Sequence, residues 1–279
     1  MKVYVNTLVK NEATLLKHVL PYWARYPVDK FMFWDDGSTD NTTDVIMDKI
    51  GDRAEIHYTD SHFNESSHRN FLAGTSKDEG ADLIISLDCD ELLGYSFVLN
   101  FDQVCKEALR YNLGTYQCNV VNNSLSFMRQ DPAYINNFRF FLIPTARMGS
   151  LATSEFGIHR SEREPFIDLQ KVISKEICFI HLQAMNRKFY AMKQVYYKVD
   201  QMLNPNNDTT KIIKNIDEAC NNLQFNEILT PVEYIGGWNF DSSVFDKILE
   251  ERKYEKIIRD YLDKTGRTDI CSQVMEYLK

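Results

Sequence analysis

An α/β fold with a mainly parallel central sheet is what this sequence predicts, and two observations predict it. Apolar, β-branched runs alternate with segments of helical periodicity over the first third of the chain, the pattern of strands joined by crossover helices. Three polar clusters, at residues 10–12, 35–40 and 88–91, each follow one of those runs. A parallel sheet gathers the segments that follow its strands on one edge, where ligands bind.

Each element has its own signal. Residues 3–9 read as a buried strand that ends at the polar Lys10-Asn11-Glu12. Leu15, Leu16, Val19, Leu20, Trp23 and Tyr26 then recur near helical spacing, and Pro27 closes that segment. A second strand at 30–34 runs into Asp35-Asp36-Gly37-Ser38-Thr39-Asp40-Asn41-Thr42, a turn followed by helix-capping residues, with Val45, Ile46 and Ile50 as the next apolar face. Residues 54–58 form a third strand and 66–76 a helix. The near-continuous apolar run at 82–87 is a strand buried on both faces. Strand formers return at 115–121, 138–143 and 177–181, separated by polar stretches expected to form loops. From residue 185 the pattern turns helical, over 189–202, 210–223 and 243–262, with breaks at Asn204-Pro205-Asn206-Asn207 and Gly236-Gly237.

Composition narrows the function. The 279 residues carry a net charge of −8, the wrong sign for a nucleic-acid surface. A nucleotide ligand remains compatible, because a divalent cation can mediate between carboxylates and phosphates. The six cysteines, Cys89, Cys105, Cys118, Cys178, Cys220 and Cys271, are scattered without a CxxC pair, which reads as free thiols in a reducing compartment. Residues 1–6 turn polar too early for a signal peptide, and no apolar run approaches the ~18–20 residues of a membrane span. The expectation is a soluble, cytoplasmic protein with no integral membrane segment.

The strongest chemical signal is Asp88-Cys89-Asp90-Glu91 after the 82–87 strand. Two carboxylates one residue apart can share a hard cation, Mn²⁺ or Mg²⁺, and leave positions open for diphosphate oxygens; the cation would neutralise charge on a departing nucleoside diphosphate. The second signal is Asp35-Asp36-Gly37-Ser38-Thr39-Asp40. Helix capping accounts for Ser38 and Asp40, and a carboxylate there can equally accept hydrogen bonds from a base or ribose.

Together, Leu8-Val9-Lys10-Asn11-Glu12, residues 35–42, His68-Arg69-Asn70 and Asp88-Cys89-Asp90-Glu91 resemble the family 2-like glycosyltransferases of the GT-A fold. The resemblance covers about the first 95 residues. It implies a GT-A catalytic domain over 1–184, with a nucleotide-sugar-binding half (1–95) and an acceptor-facing half (96–184), followed by a helical extension over 185–279. It implies that Val9, Asn11 and Glu12 border the nucleotide, that Asp36 contacts the base, and that Arg69 supports the donor pocket. Asp88 and Cys89 would lie at the ribose or metal, with Asp90 the firmest metal ligand. His181 would complete the metal shell, since imidazole suits Mn²⁺, with His159 as its rival. An inverting transferase needs a carboxylate to deprotonate the acceptor hydroxyl. The candidates are Glu155, Glu162, Glu164 and Asp168, with Glu155 preferred because it follows small residues, and Glu91 also in view. Arg139, Arg147 and Lys171 could bind diphosphate or acceptor, and Trp238 could stack on a sugar; for each, a surface charge or core ring is the plainer role.

The implied donor is UDP-linked (xylose, glucose or galactose) and the implied acceptor an oligosaccharide or glycoprotein glycan. The chain also looks similar to glycosyltransferases of large algal DNA viruses, while bacterial surface-polysaccharide synthesis is equally open. Two other functions compete. A nucleotidyltransferase on a related scaffold would use a Gly-rich loop after the first strand, and residues 8–14 contain no glycine. A non-catalytic sugar- or nucleotide-binding module would have no need of the Asp88/Asp90 pair.

Overall fold

β1 (Val3–Val9) lies in the middle of a five-stranded sheet, between β2 (Lys30–Asp35) and β4 (Leu83–Ser86). The structure is a computed structural model that describes residues 1–58, 65–121, 124–127, 138–139, 142–148, 171–203, 230–231, 241–252, 254–268, 270 and 272–279. β3 (Ala54–Tyr58) extends the sheet beyond β2, and β9 (Leu142–Pro144) closes its other edge. Among the described residues the β1–β2, β2–β3 and β1–β4 pairs are parallel and β4–β9 is antiparallel. The chain therefore steps outward from β1 to β3 and returns to the other side of β1 as β4. That reversal between β1 and β4 is a topological switch point, the place where open α/β sheets bind ligands.

Helices cover both faces. On one side Trp23 of α1 (Ala13–Trp23) stacks near-parallel on Phe31 and Phe33 of β2, at 6.2 and 6.4 Å between ring centroids. On the other, Leu72 of α3 (Glu65–Asp78) packs with Tyr4, Met32 and Trp34. Strand alternation decides this division, since residues 31 and 33 face one helix layer and 32 and 34 the other. One buried polar bond pins α3 to the central strand: Ser76 Oγ donates to Asn6 Oδ1 at 2.9 Å. α2 (Thr42–Ile50) packs beside α1.

After β4 the chain makes a tight turn into β5 (Glu91–Leu93), which pairs antiparallel with β10 (Lys171–His181) in the register His181↔Glu91. The strand expected over 138–143 is two short strands with different partners, β8 (Phe138–Arg139) on β6 (Asn112–Val121) and β9 on β4. Its apolar composition signals a strand but carries no information about which neighbour each half finds.

The chain divides into two compact units: Met1–Cys118, Asn136–His181 and Ile235–Trp238 in the first, Asn119–Ile135, Leu182–Tyr234 and Asn239–Lys279 in the second. Within the second, α6 (Arg187–Leu203) packs with the helices Ser243–Arg252, Tyr254–Thr265 and Ser272–Tyr277. Phe189 and Phe245 meet at 4.7 Å in its core. The segment expected to be one helix over 243–262 is thus two, and the one expected over 210–223 lies outside the described residues. Among the described residues no helix is long and apolar enough to cross a membrane.

Candidate functional site

The loops after β1, β2 and β4 share one edge of the sheet, because their strands are parallel. The first two are laced together. Asn11 takes a left-handed backbone, φ 54°, unusual outside glycine. In that conformation three successive amides turn to the second loop: Asn11 N–H donates to Ser38 Oγ at 2.9 Å, Glu12 N–H to Thr42 Oγ1 at 2.8 Å, and Ala13 N–H to Asp40 Oδ2 at 3.1 Å. Thr39 N–H returns a bond to Asn11 Oδ1 at 2.8 Å. Ser38 and Asp40 were expected to cap α2. Ser38 instead accepts from Asn11, one residue before the N-cap of α1, and Asp40 accepts the otherwise orphan Ala13 N–H at the start of α1, while Asn41, the N-cap of α2, makes no side-chain capping bond. Asp40 serves both helices, since its other oxygen accepts Thr42 N–H at 3.0 Å.

Asp36 sits beyond the end of β2 with its amide on Val9 O at 3.0 Å, and only 5% of the residue is exposed. Lys10 Nζ reaches Asp36 Oδ2 at 3.0 Å. Asp36 Oδ1 is buried and has no hydrogen-bond partner among the described residues. His68 of α3 faces this oxygen, with Nδ1 3.7 Å away. Burial holds His68 below its ordinary value, against the pull of Asp36, so the ring is neutral at neutral pH. It lies stacked on Trp34, 4.5 Å between centroids. Leaving a buried acceptor unmade costs about 1–3 kcal/mol, and such atoms ask for a missing water, ion or ligand.

Asp88-Cys89-Asp90-Glu91 is a closed turn in which Glu91 N–H donates to Asp88 O at 3.0 Å and Asp88 N–H to Glu91 Oε2 at 3.0 Å. Glu91, 1% exposed, therefore braces the turn with its carboxylate. The Cys89 thiol donates to Leu8 O at 3.3 Å, which ties the turn to β1. Behind it, Trp23 Nε1 donates to Glu91 O at 3.0 Å and Leu93 N–H to Tyr26 Oη at 2.9 Å. The two aspartates of the turn part company. Asp88 Oδ1 is bound by Arg69 at 2.6 Å, whose other nitrogen donates to Ser86 Oγ at 3.1 Å. Asp90, 4% exposed, meets His181 Nε2 at 3.3 Å through Oδ2.

Of the residues expected at the site, Val9 ends β1, Asn11, Glu12 and Asp36 lie in the loops after β1 and β2, Arg69 and Asp88 are paired, Cys89 is buried in the turn, and Asp90 and His181 are brought together by the β5–β10 register. Glu155 and Asp168, with His159, Glu162, Glu164 and Trp238, lie outside the described residues. Of a metal site, the described residues assemble the Asp90–His181 pair and no group of three or more candidate ligands. Carboxylate and imidazole, 3.3 Å apart here, are both donors that would suit Mn²⁺ if it were bound there. Sequence reasoning missed the Lys10–Asp36 pair and the His68–Trp34 stack. The β1–β2 register would have signalled the first, while the second needs the helix phase of α3.

No protein-family model matches the sequence, and no characterised protein matches it by sequence. Solved structures do. S. aureus TarS 1–349 in complex with UDP-GlcNAc is similar at 11% identity, TM-score 0.50, over 94% of this chain and 81% of that one. The 4-diphosphocytidyl-2C-methyl-D-erythritol synthase of Anaerococcus prevotii is similar at 11% identity, TM-score 0.42, over 62% and 86%. Glucosyl-3-phosphoglycerate synthase of Mycobacterium tuberculosis, solved with Mn²⁺, UDP and glucosyl-3-phosphoglycerate, is similar at 14% identity, TM-score 0.33, over 42% and 44%. All three proteins are bacterial and add nothing to the algal-virus likeness. The fold is the mixed α/β GT-A fold, with a mainly parallel sheet flanked by helices.

Proposed function

We propose that this chain is a glycosyltransferase that moves a sugar from a UDP-sugar to a glycan hydroxyl. The observation that supports this most directly is the pairing of two buried carboxylate sites on one sheet edge at the switch point. Asp36 offers an oxygen after β2 that has no partner among the described residues, and Asp90 stands against His181 after β4. Asp36 would accept the base, with Val9, Asn11 and Glu12 framing the nucleotide. Asp88, held by Arg69, would lie along the ribose and diphosphate. Asp90 and His181 would hold Mn²⁺ or Mg²⁺, which when bound supplies positive charge to the leaving diphosphate.

In the reaction the acceptor oxygen attacks the anomeric carbon as its bond to the diphosphate oxygen breaks. The hydroxyl proton passes to a carboxylate, for which Glu155 is the first candidate and Asp168 the second; inversion at that carbon follows from direct displacement. UDP-xylose, UDP-glucose and UDP-galactose are the donors to try first. A nucleotidyltransferase is less well supported. Such enzymes cradle a triphosphate on free backbone amides after the first strand, and here those of Asn11, Glu12 and Ala13 are already bonded to Ser38, Thr42 and Asp40.

The test is donor binding and hydrolysis across a panel of nucleotide sugars, with Mn²⁺ and with chelator, for wild type and Asp90→Ala. Metal-dependent turnover of one UDP-sugar, abolished in the variant, is the expected result. If no nucleotide sugar binds in the presence of metal, the proposal fails.

A further inference from the structure

The two oxygens of Asp36 are not equivalent. Oδ2 is taken by Lys10 Nζ at 3.0 Å, and Lys10, its side chain 55% exposed, lies over a carboxylate whose side chain is 2% exposed. Among the described residues Oδ1 is buried without a hydrogen-bond partner, and His68, at 3.7 Å, is beyond hydrogen-bonding distance of it. An ammonium has three protons, so Lys10 can keep its bond to Asp36 and still donate to a ligand. Side by side, the pair presents one free acceptor and one cationic donor.

We infer that Lys10 is a specificity-determining residue. By occupying one oxygen of Asp36 it leaves a single acceptor, so the pocket selects the uracil imide edge over guanine. This rests on the nucleotide-sugar function proposed above and goes on to name what sets the base. Uracil matches the pair, with N3–H to Oδ1 and a flanking carbonyl oxygen to Lys10 Nζ. Guanine presents two adjacent donors, N1–H and the N2 amino group, which suit both oxygens of one carboxylate; with Oδ2 occupied, the amino group is buried unpaired. Cytosine turns the lone pair of N3 toward Oδ1 and is repelled. A buried polar group left unmatched is the strongest means a site has of rejecting a competitor.

Titration calorimetry of the full chain with UDP, GDP and CDP, in the presence of Mn²⁺, tests this with Lys10→Met and Lys10→Arg. Wild type should bind UDP most tightly. Lys10→Met frees Oδ2 while keeping side-chain bulk, and should shift the UDP-to-GDP affinity ratio toward GDP by tenfold or more. Lys10→Arg still occupies Oδ2 and should keep the wild-type order. The inference is overturned if the Lys10→Met ratio is unchanged while UDP still binds. It is equally overturned if that variant, folded by circular dichroism, loses all three nucleotides alike, since Lys10 would then be a general phosphate cation. A wild type that prefers GDP also overturns it. A wild type that binds none of the three sinks the proposed function itself, an outcome distinct from the others.

Discussion

Arg69 is the residue whose substitution best separates holding the fold together from holding the site in order. Its guanidinium forks between Asp88 Oδ1 at 2.6 Å and Ser86 Oγ at 3.1 Å, with the Arg69 and Asp88 side chains 30% and 37% exposed. Ion pairs that wet contribute about 0–1 kcal/mol to stability. At roughly 2–4 °C per kcal/mol for a chain of this order, Arg69→Met should lower the melting temperature by no more than about 4 °C. The effect on activity should be larger. Asp88 loses a partner that holds its rotamer, and misplacing a substrate-positioning group by about 1 Å can cost about 100-fold in rate. Arg69→Lys keeps the charge but cannot bridge both oxygens, and should fall between the two. The assays are metal-dependent donor turnover and a thermal melt on the same preparations. A melting temperature lowered by more than ~8 °C would make Arg69 a structural residue, and turnover within twofold of wild type would leave Asp88 with no need of it; either result refutes the reasoning.

Tyr26→Phe should cost about 1–3 kcal/mol in urea denaturation, because Leu93 N–H then lies buried without its acceptor; unchanged stability would mean another group takes that bond. Asn11→Ala should be less stable than Asn11→Gly by about 1 kcal/mol. Both lose the bond from Thr39 N–H, but only alanine pays for φ 54°, and the reverse order would remove the strain from the account. Lys30, bonded to Glu55 and Glu79 at 2.7 and 2.6 Å, holds the Glu55 carboxyl below the ordinary range. The unfolded chain then binds the Glu55 proton more readily than the folded one, so this stability is present above the ordinary glutamate pKa and is lost as pH falls through the folded value. Lys30→Met should therefore flatten the acid limb of the stability profile, and parallel acid limbs for variant and wild type would contradict this.

How much of this could be read from the residues alone depends on the distance over which each interaction acts. Strands β1 to β4 and helices α1 to α3 announce themselves through local periodicity, and the gathering of three polar loops on one edge follows from parallel pairing alone. Capping was legible as chemistry but not as direction. Asp40 does bond the first turn of α2, as its residue type suggests, but it also bonds Ala13 while Ser38 bonds Asn11, both more than twenty residues upstream. The split of Asp88 from Asp90 was not legible, because it depends on Arg69 arriving from α3 and on His181 arriving through a strand register set some ninety residues later. The Lys10–Asp36 pair lies between these extremes. Its two residues are 26 apart in sequence, yet each is the next residue after its strand, and the register Val9↔Asp35 sets them side by side. Once two parallel strands with buried ends are granted, an opposite-charge pair at that position needs no further contact to specify it. The first loop thus does more than border the second. Through Lys10 it occupies one oxygen of the carboxylate next to it, so the hydrogen-bonding character of that carboxylate is written in two positions of the chain rather than one.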